Sequence, residues 1–214
     1  MELCHFPVDS FISRSQPELL SAARQAQVFA HARPTGVVRE DSRPRPTNEG
    51  ILARVSVPDP DTRGRFLAYW NLTKGGDFYT LMSLTEDERD QDQSREIIWS
   101  ESRIVRAADA LLHCANLYKV LGVEPNAHIE MTVRYGGLQG RTLTEARIVT
   151  RGQNLYEEEV TIPPITFRLG AVESEIVSLV KKLCEPLFVI FDFATFPDEV
   201  YQQIVTAFVH GKVA

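Results

Sequence analysis

The residues best suited to chemistry in this 214-residue chain are arginines set among glycines. The string Arg134-Tyr135-Gly136-Gly137-Leu138-Gln139-Gly140-Arg141 could offer backbone amides and two guanidinium groups to an anion or a phosphate. It lacks the Gly-Lys-Ser/Thr ending of a phosphate loop, and no helical pattern follows it. A glycine-built hairpin with Arg134 and Arg141 on its polar face explains the same residues, because glycine accepts the positive φ of tight turns. Arg43 and Arg45 form a second basic group, in a loop that also holds Glu40, Asp41 and Glu49. Arg103 and Arg106 begin an apolar helical pattern. Arg106 is a further candidate for ligand contact, with surface salt bridges to the preceding acidic loop as the plainer alternative.

Carboxylates gather at Glu86, Asp87, Glu88, Asp90 and Asp92. Their spacing is not that of a calcium loop, and a solvated loop accounts for such a run. A hydrolase or nuclease-like centre would need Asp87, Glu88 or Glu130 brought together beside an arginine. His5, His31, His113, His128 and His210 are nowhere at ligand spacing, so neither a metal nor another cofactor is expected. No serine stands in a nucleophile elbow and no cysteine in an activating setting, so no catalytic residue is assigned.

The element that must position these groups is the stretch 100–122. Ile104, Ala108, Leu111, Ala115 and Tyr118 follow helical spacing, and Val105, Leu112 and Leu121 widen the stripe. The pattern predicts one helix over 101–121, with Ser100 or Ser102 as its cap, Gly122 as its exit, and Leu111 and Ala115 fully buried. Ser15 and Glu18 have capping-box spacing and open an earlier helix that ends near His31. Alternation marks strands at 35–39, 51–57, 96–99, 128–135, 141–146 and 156–162. Residues 65–72 and 77–84 form a hairpin around Lys74-Gly75-Gly76. Ile176 to Leu187 is a helix that Pro186 should kink or break, and Pro197 opens a last helix with Val200, Ile204 and Phe208 on its buried face. These elements give an α+β fold: an antiparallel or mixed sheet packed against a long central helix and C-terminal helices. Residues 1–14 read as an N-terminal arm and 15–214 as a single domain.

A formal charge of −6 argues against a chain that coats nucleic acid by itself. The longest apolar run, Leu187 to Phe191, is far too short for a membrane helix, and MELCHFPVD has no secretory pattern. Three cysteines, two of them in helical patterns, suit a reduced cytoplasmic protein. Phe188, Phe191, Phe193, Phe196 and Phe208 are more aromatic surface than two terminal elements readily bury, which predicts a homodimer.

Several strings in combination carry a resemblance: RPRPTNEGI (43–51), YWNLTKGGDFYTLMSLTEDER (69–89), RIVRAADALLHCANLYKVLGV (103–123), VRYGGLQGR (133–141) and LFVIFDFATFPDEVYQQIV (187–205). Together they resemble the C-terminal part of bacterial proteins whose N-terminal part is a Schlafen/AlbA-type DNA-binding domain. The DNA-binding half has no counterpart here. The resemblance implies a companion domain: a non-catalytic sensor or interaction domain of a DNA-associated regulatory or defence protein, able to associate with a DNA-binding domain or partner, with no strong nucleic-acid binding of its own. The two other readings are an enzyme that uses the loop carboxylates and a nucleic-acid-binding module that uses Arg43, Arg45, Arg134 and Arg141.

Overall fold

Alternating apolar residues build most of the sheet. The computed structural model describes residues 1–28, 33–58, 64–88, 96–145, 151–154, 156–193 and 196–211. Its large sheet contains β1 (Glu2–Pro7), β2 (Arg45–Pro46), β3 (Gly50–Pro58), β4 (Arg65–Thr73), β5 (Phe78–Met82), β7 (His128–Gly136), β10 (Glu159–Thr161) and β11 (Ile165–Arg168). The spatial order is β10-β7-β1-β5-β4-β3-β2, with β11 beside β10 on the same edge of β7, and every pairing is antiparallel. A small mixed sheet holds β6 (Ile97–Trp99), β8 (Thr142–Thr144) and β9 (Arg151–Asn154). The helices are α1 (Gln16–Gln25), α2 (Ser100–Val120), α3 (Val172–Ile190) and α4 (Asp198–Val209). The fold is α+β, with the expected sheet and helices.

The predicted hairpin is β4–β5. Gly76, at φ +91°, makes the turn, and a Cβ there would stand 2.6 Å from Ile12 Cδ1. Gly76→Ala is expected to destabilise by about 1–2 kcal/mol, the cost of forcing an L side chain into the left-handed region. The measurement is the urea midpoint at constant m-value. Gly75, where a Cβ meets nothing closer than 3.6 Å, is the control, and equal losses at both positions would remove the φ argument.

α2 is one helix, as expected, but it is buried on more than one side. Tyr118 meets His5 of β1, His113 meets Phe78 of β5, and α1, α3 and α4 pack around the rest. Leu111 is buried. Ala115 is only half-buried. Trp99 occupies the cap and no side chain caps the helix; the Ser100 hydroxyl donates instead to Glu101 and to the Thr144 carbonyl. At the other end Gly122 leaves at φ +76°.

Other expectations fail for identifiable reasons. The residues read as an arm include β1, an interior strand between β5 and β7. Residues 35–39 are not a strand; Val37 instead accepts a hydrogen bond from Trp70 Nε1 at 2.9 Å. The first helix stops at Gln25, and its expected end at His31 lies outside the described residues. Gly136 to Gly140 do not close a hairpin, because β7 and β8 belong to different sheets. Pro186 sits inside a continuous α3. The carbonyl it leaves without a helical donor belongs to exposed Lys182, where water can serve, while buried Leu183, Cys184, Leu187 and Phe188 hold the helix in place. On α4 the fully buried residues are Tyr201, Val205 and Phe208, with Val200 and Ile204 only half-buried.

All five tail phenylalanines are in the core, three of them joined edge to face around Phe196. They offer no exposed surface to a second copy, so the reason given above for a dimer falls away. The buried apolar residues form one contiguous cluster. Among the described residues no helix is long and apolar enough to cross a membrane.

Candidate functional site

The sequence Arg43-Pro44-Arg45-Pro46 determines what the edge of the large sheet looks like. β2 is two residues long and pairs only with Ile51 and Leu52. Proline has no amide hydrogen to give to a ladder, so the two prolines stop the strand there. From Ala53 to Pro58, β3 pairs, among the described residues, with β4 alone. Residues 40–47, the start of α1 and Ile51–Arg54 enclose a groove of about 1250 Å³.

Three exposed arginines line this groove: Arg43 and Arg45, both singled out from the sequence, and Arg54, which was not. None of the three has a carboxylate at ion-pair distance among the described residues. Of the two acids in the lining, Asp41 is held by Arg39 at 3.0 Å, and that ion pair keeps its carboxyl below the usual range. Glu40 is the other. Arg54 was legible in principle. Buried Ala53 and Val55 alternate with it, which puts Arg54 on the opposite, open face of β3.

The remaining candidates are elsewhere and are engaged. Arg106 is almost wholly buried; it donates to the Arg33 carbonyl and lies 3.6 Å from Asp109. Arg134 is bonded to Glu159, with Glu2 3.9 Å away, on the open face of the sheet. Arg141 pairs with Asp87 at 2.5 Å. Arg134 and Arg141 therefore do not form one patch. Glu130 stands on the open face of β7 across from Phe6 and Thr166, while Asp87 is taken by Arg141. The side chain of Glu88 lies outside the described residues. Among those residues no three His, Cys, Asp or Glu side chains group as metal ligands.

Two buried polar clusters fix α2. Arg103, expected on the surface, is inside: its Nη2 donates to both Glu86 oxygens, at 2.8 and 3.1 Å, and Glu86 also accepts from the Trp99 amide. Farther along, Asp109 accepts from the Thr35 amide and hydroxyl at 2.8 and 2.6 Å. Tyr118 Oη lies 2.8 Å from His5 Nδ1. Burial pushes the His113 imidazole down to about 4, with the Asp109 charge acting in the other direction, and lowers His5 well below its ordinary value. No known protein family, curated protein or solved structure matches the chain.

Proposed function

We propose that this chain is an interaction domain with no catalytic centre of its own, and that it holds an anionic partner in the groove between α1, residues 40–47 and β3. The observation that carries this reading is the set of three guanidinium groups, Arg43, Arg45 and Arg54, lining one concavity with no carboxylate of the described residues at ion-pair distance, although Glu40 and Asp41 also line it. Unpaired arginine is the usual recognition element for carboxylate and phosphate groups. The resemblance adds the setting: a cytoplasmic regulatory companion of a DNA-associated bacterial protein. Three free thiols accord with that location.

A hydrolytic centre has less support, because Asp87 is engaged by Arg141 and Glu130 stands apart on β7. The nucleic-acid module loses half of its cations, since Arg134 and Arg141 are ion-paired outside the groove.

The test is a titration with labelled polyglutamate and with labelled DNA duplex at about 150 mM salt, where exposed charges are already well screened. The chain should bind the peptide, and the combined Arg43→Ala, Arg45→Ala and Arg54→Ala variant should not. Duplex binding should be weak and indifferent to sequence. Binding of neither probe would end the proposal, and sequence-selective duplex binding would replace it with the nucleic-acid reading.

A homodimer belongs to the same proposal on a different surface. The helix-free face of the large sheet presents Leu67 and Leu81, 52% and 44% exposed, beside half-buried Tyr69 and Tyr79. Light scattering should show a dimer that Leu81→Asp dissociates; a monomer at every accessible concentration would remove it.

A further inference from the structure

The groove also has a backbone feature that guanidinium groups alone do not explain. The amide and carbonyl of Gly50 both face the β2 side: Gly50 N donates to Thr47 Oγ1 at 3.0 Å, and Gly50 O accepts from Thr47 N at 2.8 Å. Strand geometry repeats every two residues, so the main-chain groups of Leu52, Arg54 and Ser56 face the same way. The far side of the sheet gives the same answer. Leu67 exchanges bonds with Ser83 on the β5 side, so Phe66, Ala68 and Trp70 are the β4 residues turned toward Val57, Val55 and Ala53. β2 uses Leu52. Arg54 and Ser56 are left with amides and carbonyls that meet no strand among the described residues. An edge of this kind is a template for another strand.

We infer that the groove's occupant is a short, extended, acidic polypeptide segment that continues the β2 position and pairs with Arg54 and Ser56 of β3. This rests on the groove reading above and gives it a partner chemistry. Main-chain bonds to β3 would fix the segment in register, as in other strand-addition complexes. Acidic side chains on alternate residues would face Arg54 and Arg45, which share the open face because Arg45 is paired with Leu52. Arg43 follows at the point where the added strand runs on past β2. Arg65, on neighbouring β4, reaches this region through Nε and Nη2, both of which donate to the Ser56 hydroxyl.

The experiment uses the full chain and a fluorescent peptide of alternating glutamate and valine. Three comparisons accompany it: the peptide with alternate amides N-methylated, the variant Ser56→Pro, and competition by single-stranded oligothymidylate. Ser56→Pro removes an outward amide and spares the bonds to β4, so the sheet remains. The expected result is peptide binding that either backbone change weakens about tenfold or more, in line with the loss of paired main-chain bonds. The Arg54 and Ser56 amides should also exchange more slowly in the complex. Unchanged affinity for the methylated peptide would refute strand pairing and leave the anion groove standing, even if Ser56→Pro failed to fold. Oligothymidylate that displaces the peptide at lower concentration than unlabelled peptide does would make the occupant a nucleic acid and overturn this inference alone. Binding of neither would overturn both.

Discussion

Glu86→Ala is expected to destabilise the chain by about 3–5 kcal/mol, the range for removing one member of a buried ion pair. Glu86 and Arg103 have side chains only 1% and 2% exposed, and they join the turn after β5 to the first turn of α2. Without the carboxylate, the Arg103 guanidinium would keep, among the described residues, the face of Tyr135, 6.0 Å from the ring centroid. The Trp99 amide would lose its acceptor as well. The pair itself need not be a net source of stability, because desolvation offsets much of its attraction. Arg103→Met added to Glu86→Ala should therefore recover a large part of the loss. Urea midpoints of the single and double variants decide this. A single variant that loses less than about 1 kcal/mol would mean the pair is hydrated, as surface pairs are.

Acidification is the second large effect. His113 is enclosed by Phe78, at 4.6 Å between ring centres, by His5, at 5.9 Å, and by Gly36. Gly36 has φ +63°, and a Cβ there would stand 2.4 Å from His113 Nε2, so glycine is what lets the backbone close over the ring. The titratable groups near it are Asp109 and the second imidazole, His5, which burial keeps neutral; Tyr118 and Cys114 are held neutral by burial as well. The folded chain binds the His113 proton only near pH 4, whereas an unfolded chain takes it up near 6.5. Between those values the unfolded state holds more protons. Stability is then complete above about pH 6.5 and falls by about 3 kcal/mol for His113 alone as the pH drops to 4. The lowered His5 acts in the same direction. Urea midpoints at several pH values, compared between the natural chain and His113→Phe, isolate this contribution from the carboxylates. Identical slopes in the two proteins would show that the imidazole has another source of compensation.

The sequence is legible where one local rule acts without competition. Glycines at 75 and 76 announced the β4–β5 turn, and the inward residues Ile129, Met131, Val133 and Tyr135 announced β7. β1 was illegible because its pattern is inverted in kind. His5 points into the core, where Tyr118 and Phe78 receive it, while Phe6 is half-exposed on the outer face. The tail was misread for a different reason. Whether Phe193 and Phe196 need a partner chain depends on how α3 and α4 close on each other, which no local pattern contains. Of the groove, Arg43 and Arg45 were visible as types. That they stand free depends on β2 ending after two residues, and that Arg54 joins them depends on strand order.

The interior position of β1 has a kinetic consequence. Its hydrogen-bonding neighbours are β5 and β7, so β1 cannot complete its ladder until β7, far later in the sequence, is available. Helices and the β3–β4–β5 meander can form from near neighbours in sequence, but joining that meander to the β7 side requires β1 to be captured between two segments distant from each other in sequence. Closing so long a loop is an entropic barrier that local contacts do not lower, and domains wired this way fold slowly for their size. Until capture, β5 and β7 each present an open edge facing the gap that β1 will fill, which makes the interval before closure the period of greatest exposure to aggregation.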